Sequence, residues 1–150
     1  ILVLIFAFLF FFPALVIGGV FSPRVTPSIA QRDYQRYEAQ FNRIAQYVSE
    51  NNINDFYIHE DELKDGSIPD EEVYRALEIL MKAKYRTIGI EENTLFFQKY
   101  ATLDCGRGIL YVLDGGEPYL QFLTDAKELA AENWYYYEDD FNQWRLENKE

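Results

Sequence analysis

The feature that most constrains this chain is its opening run, Ile1–Phe21. It holds no charged residue and no Asn, Gln, Ser or Thr. Ile, Leu, Val, Phe and Ala supply nearly all of it, interrupted by Pro13, Gly18 and Gly19. A helix rises about 1.5 Å per residue, so such a run spans about 30 Å, the thickness of a bilayer's hydrocarbon core. A buried helix of a globular domain would show a polar stripe or be shorter. The apolar region of a signal peptide is about 7–15 residues long and ends at a small-x-small site. This run is longer, and Val20-Phe21-Ser22 is a poor site. The expectation is therefore a retained transmembrane anchor over residues 1–21, which Pro13 does not forbid.

A stiff linker, Ser22–Ser28, follows, with prolines at 23 and 27. Residues 29–150 are then expected to form one soluble domain. Every charged residue lies beyond the anchor, so this part carries the whole net charge of −11. It also holds all twelve tyrosines and both tryptophans. A phosphate-binding surface needs clustered Lys and Arg, and no such cluster occurs, which argues against nucleic acid. Arg24, Arg32 and Arg36 favour a cytoplasmic domain by the positive-inside rule. Bacterial proteins with one N-terminal apolar segment more often project their domain outward. The expected location is the cell membrane, single-pass, with the domain on the extracytoplasmic side.

Periodicity divides the domain. Apolar residues at Ala30, Tyr34, Tyr37, Phe41, Ile44, Ala45 and Val48 mark one face of a helix capped by Ser28 and ended by Asn51 and Asn52. Asp55–His59 reads as a short strand. Asp70 caps a second helix with Val73, Leu77, Leu80 and Met81 on its apolar stripe. Tyr85–Ile90 and Thr94–Ala101 read as strands joined by a turn at Glu91–Asn93. Cys105–Gly108 reads as a turn that uses its glycines. Ile109–Leu113 and Tyr119–Leu123 read as a hairpin around Asp114-Gly115-Gly116. Asp125–Glu132 reads as a short helix, Trp134–Tyr137 as the last strand, and Asp139 or Asp140 as the cap of a tail helix. The expected fold is α+β: the transmembrane helix, two helices, a mostly antiparallel sheet of about five to six short strands and a short C-terminal helix.

Chemistry-bearing motifs are sparse. His59 is the single histidine and sits among acids, where a base would be held protonated; a surface histidine is the simpler reading. Cys105 has no histidine near it in sequence and reads as a small buried thiol. Two Cys and His residues are too few for a structural zinc site. Residues 61–72 align with a calcium-binding EF-hand loop, with Asp61, Asp65 and Glu72 as ligands and Gly66 at the turn. Leu63 stands where an oxygen ligand belongs, and a strand precedes the loop where a helix should. A degenerate site, or a plain Asp-Gly turn before a capped helix, fits better. No cofactor is expected.

From Asp114 onward ten Asp and Glu interleave with aromatics, against Lys127, Arg145 and Lys149. Tyr119, Trp134, Tyr135, Tyr137 and Trp144 are the candidate partner-binding residues: an exposed aromatic set ringed by carboxylates suits a basic protein. The alternative is that Phe141 and Trp144 fold back and cover that face. Gly108-Ile109-Leu110-Tyr111 through Asn133-Trp134-Tyr135-Tyr136-Tyr137, behind one N-terminal anchor, resembles small single-pass membrane-anchored bacterial proteins of unknown function. The resemblance covers mainly residues 85–145, implies the layout, and brings no catalytic residue with it. The expected function is a membrane-tethered, non-enzymatic interaction domain, of inhibitor, immunity-type or accessory kind. The alternatives are a carboxylate-based hydrolase acting on an extracellular polymer and a degenerate calcium-binding domain.

Overall fold

A computed structural model describes residues 25–64 and 68–148. Among the described residues the fold is α+β, with three helices and one six-stranded sheet. Thr26 caps helix α1 (Pro27–Glu50): its hydroxyl accepts from the Ile29 amide at 3.3 Å, and Pro27 occupies the first turn, where its missing N–H costs nothing. The helix thus starts inside the segment expected to be linker. Helix α2 (Glu71–Lys82) is capped by Asp70, which accepts from the Val73 amide at 2.9 Å and from Arg43 of α1 at 2.5 Å. The Val73 amide first, and Arg43 after it, hold the Asp70 carboxyl below its ordinary pKa.

The strands are β1 (Tyr57–His59), β2 (Thr87–Glu91), β3 (Thr94–Ala101), β4 (Cys105–Val112), β5 (Leu123–Glu128) and β6 (Trp134–Asp140). They lie in the order β1-β2-β3-β4-β6-β5, and every neighbouring pair is antiparallel. Helix α3 (Phe141–Glu147) follows β6 behind an Asp140 cap.

One face of the sheet meets the helices. Phe41, Ile44 and Val48 of α1, Leu77 and Leu80 of α2, and Ile88, Leu95, Phe97, Ile109 and Trp134 of the strands form one buried cluster. One polar insertion crosses it: Lys99 Nζ lies 2.5 Å from the nearly buried Asp33, tying β3 to α1. The other face, called outer below, carries a smaller cluster of Leu110, Val112, Leu120 and Tyr137.

Several expectations are corrected. The expected architecture began with a membrane-crossing helix; among the described residues no helix is long and apolar enough to cross a membrane, and Ile1–Phe21 lies outside them. Cys105–Gly108 is not a turn but the first half of β4, whose glycines sit where neighbouring side chains and backbone leave no room. Tyr119–Leu123 does not pair with β4, which lies between β3 and β6 instead. The segment expected as a helix over 125–132 contains most of edge strand β5, because pairing with β6 overrides a weak local helical preference.

Candidate functional site

Strand register builds the outer face. Tyr57, Gly89, Phe96, Leu110 and Tyr135 stand opposite one another from β1 to β6; so do Thr87, Gln98, Gly108 and Tyr137 from β2 to β6. Side chains alternate along a strand, so Glu91 of β2 and Asp139 of β6 belong to this face too. Two glycines let their neighbours lean inward. A Cβ on Gly89 would meet the Phe96 ring at 2.8 Å and the Tyr57 ring at 3.0 Å. A Cβ on Gly106 would meet the Gln98 side-chain nitrogen at 2.4 Å and both Asp139 carboxylate oxygens at 2.7 Å.

A strap, residues 113–122, crosses this face. Its Tyr119 amide donates to Thr94 Oγ1 at 3.0 Å and its Gln121 amide to Glu91 Oε1 at 2.8 Å. Leu120 is buried beneath it. Phe122 closes the end against Phe141 and Trp144 of α3, with ring centroids 5.0 and 5.4 Å away. Between strap and sheet lies a cavity of about 210 Å³, walled by Tyr57, Phe96 and Phe122, with Gln98, Glu91 and Asp139 at its polar edge. None of the described residues lining it is Lys or Arg.

Burial pushes the Asp139 carboxyl above its ordinary pKa, and repulsion from Glu91, Asp140 and Glu138 adds to this; the Gly106 amide opposes it. The fully buried Tyr137 hydroxyl stands beside Gln98 and Asp139 and makes no hydrogen bond of good geometry among the described residues. Unpaired buried polar groups are uncommon and mark places that a ligand or water can complete.

A raised carboxyl pKa has a definite sign. The folded state holds the Asp139 proton more tightly than the unfolded chain. Stability from this group is therefore full at low pH and falls as pH rises above the ordinary value of 3.8 through the folded one. Asp139→Asn, which keeps the Gly106 contact but removes the charge, is expected to raise the urea midpoint at neutral pH. The gain should shrink as pH approaches that ordinary value. A lower midpoint at neutral pH would show that the carboxylate is stabilised where it stands.

The residues singled out from sequence are dispersed. Trp134 is buried on the helix side and Tyr137 on the outer side; Tyr135 is half-buried, Tyr119 lies exposed on the strap, and Trp144 packs on Phe122. The five do not share one surface. Asp61 lies 3.6 Å from His59 Nδ1, Glu72 Oε2 lies 3.2 Å from Arg43 Nε as an ion pair, and Asp65 is outside the described residues. Among the described residues no group of three or more His, Cys, Asp or Glu is placed to hold a metal ion. Cys105 begins β4, three strands from His59 on β1, and burial pushes its thiol pKa up against the pull of Arg107. That Glu91 and Asp139 line one cavity was missed, since strand order and the strap, not nearness in sequence, bring them to it.

A larger groove of about 600 Å³ runs between α1 and the β5–β6 turn, lined by Asn42, Gln46, Ser49, Glu132 and Asn133 among others. Tyr34, Tyr111, Trp134 and Glu50 line it as well, so with Glu132 it too joins aromatic rings to carboxylates; the outer cavity differs in the gap at Gly106 that lets Gln98 and Asp139 converge. No protein-family model matches this chain, and neither a curated protein nor a solved structure resembles it detectably.

Proposed function

We propose that this domain is a non-enzymatic interaction module that recognises a basic segment of a partner protein through the outer face of its sheet. The observation that carries the reading is the cavity between strap and sheet, walled by aromatic rings, edged by Glu91 and Asp139, and without a cation among its described lining residues. The net charge of −11 steers a basic partner toward the chain, and a local acidic pocket decides where it docks.

A second reading, a carboxylate-based hydrolase, has one observation in its favour: burial raises the Asp139 carboxyl above its ordinary pKa in a cavity that Glu91 also lines, and acid–base pairs are set apart in this way. Glu91 is, however, already engaged by the Gln121 amide. Turnover of chromogenic glycosides that Asp139→Asn abolishes would establish that reading over the first.

The test separates location from bulk charge. A fluorescent polyarginine peptide is titrated against the chain, against Glu91→Gln/Asp139→Asn, and against Glu38→Gln/Glu50→Gln on α1, which removes the same charge elsewhere. The outer-face variant is expected to bind about tenfold more weakly, or about 1.4 kcal/mol. The helix variant should change less than about twofold, because exposed charges beyond about 10 Å are screened. Equal losses in the two variants would overturn the reading.

A further inference from the structure

The outer cavity is smaller than the about 300 Å³ at which small-molecule pockets begin. Its about 210 Å³ suits one side chain rather than a free metabolite. The two carboxylates do not sit together: Glu91 ends β2, and Asp139 lies on β6, beyond β3 and β4. Glu91 already accepts the Gln121 amide, and the Gly106 amide stands beside Asp139, which leaves further lone pairs on each carboxylate. Gln98 and Gln121 line the same cavity and add side-chain amide groups to its polar edge.

We infer that this pocket takes one guanidinium, the side chain of an arginine on the basic partner, spanning from Glu91 to Asp139 across the aromatic wall. The inference rests on the interaction reading above and sharpens it. A guanidinium is planar, presents five donors in a fixed fork and is weakly hydrated, so it can satisfy separated acceptors while stacking on a ring. Tyr57 and Phe96 offer such a wall, with ring centroids 6.5 Å apart and planes 63° apart. An ammonium is a compact, strongly hydrated charge. It reaches one carboxylate at a time and gives up more hydration to enter. Gly106 is part of the device: its missing side chain is what lets Gln98 and Asp139 converge.

The experiment uses isotope-labelled full chain and three blocked amino acids as probes: N-acetyl-arginine methylamide, the lysine analogue and the citrulline analogue. The arginine probe at millimolar concentration is expected to shift the Gly89, Gln98 and Gly106 amide resonances in a saturable way. The lysine probe should bind at least about fivefold more weakly, and uncharged citrulline should leave the resonances in place. Glu91→Gln and Gly106→Ala should each abolish saturation, the first by removing an acceptor and the second by filling the gap. Lysine binding as tightly as arginine would overturn the guanidinium assignment. An arginine probe that shifts none of these resonances would overturn the pocket, while the polyarginine comparison could still succeed, so the two failures are distinguishable. Saturation unchanged in Gly106→Ala would place the probe elsewhere on the chain.

Discussion

Phe41→Ala is expected to remove about 3–5 kcal/mol of stability in a urea titration, the range for deleting a buried aromatic ring. Phe41 is fully buried at the centre of the helix-side core. Its ring meets Phe97 edge-on at 4.9 Å, Tyr85 edge-on at 5.3 Å and Trp134 at 5.6 Å, and it stacks on Tyr34 at 5.9 Å. Phe97 belongs to β3, Trp134 to β6 and Tyr34 to α1 itself, while Tyr85 precedes β2. Each is held by a separate piece of backbone, so the hole cannot close by moving one side chain. Aromatic pairs add about 0.5–1.5 kcal/mol each beyond area. Domains of this size hold only about 5–15 kcal/mol in all. Phe41→Leu, which fills part of the space, should lose less than half as much. A loss below about 1 kcal/mol for the alanine variant would mean that the rings do not form one packed unit.

Local chemistry made much of the fold legible. The capping of α2 by Asp70 and the span of β3 follow from residues within a few positions of each other. What was not legible depends on distant partners. Leu123–Glu128 contains Ala, Lys and two acids and favours no strand by itself. Pairing with β6 makes it one, and its charges suit an exposed sheet edge. Tyr119–Leu123 has the composition of a strand, yet Tyr119 and Gln121 give their amides to side chains of Thr94 and Glu91, which no local pattern announces. The acidic and aromatic richness beyond Asp114 was visible, and so was the strand alternation that sets Trp134 and Tyr136 against Tyr135 and Tyr137: the first pair lies on the helix side and the second on the outer side. What was not visible is which residues of other segments meet each pair. The cavity needed one further fact: Gly106 and Gly108, which look like turn residues, lie inside a central strand.

Those two glycines separate fold from site, and Gly108 is the one the fold cannot spare. A Cβ there would lie 1.9 Å from the Phe97 carbonyl oxygen and 2.9 Å from its carbon. Both are backbone atoms of β3, which β4 pairs along most of its length, so relief requires opening the β3–β4 ladder. Gly108→Ala is therefore expected to cost about 4 kcal/mol or to prevent folding, through a backbone clash in the middle of the sheet. Ordinarily alanine is the better residue inside a strand or helix, by roughly 0.5–1 kcal/mol over glycine, so the sign of the change is itself diagnostic. At Gly106 the atoms in the way are the far ends of Gln98 and Asp139, which can rotate aside. Gly106→Ala should fold and lose less than about 1 kcal/mol, yet fail to bind the arginine probe. Urea unfolding followed by circular dichroism compares the two variants directly. Equal and small losses would mean that the strands do not approach as closely at Gly108 as described. An unfolded Gly106→Ala chain would mean that the convergence of Gln98 and Asp139 supports the sheet itself and is not merely the edge of a pocket.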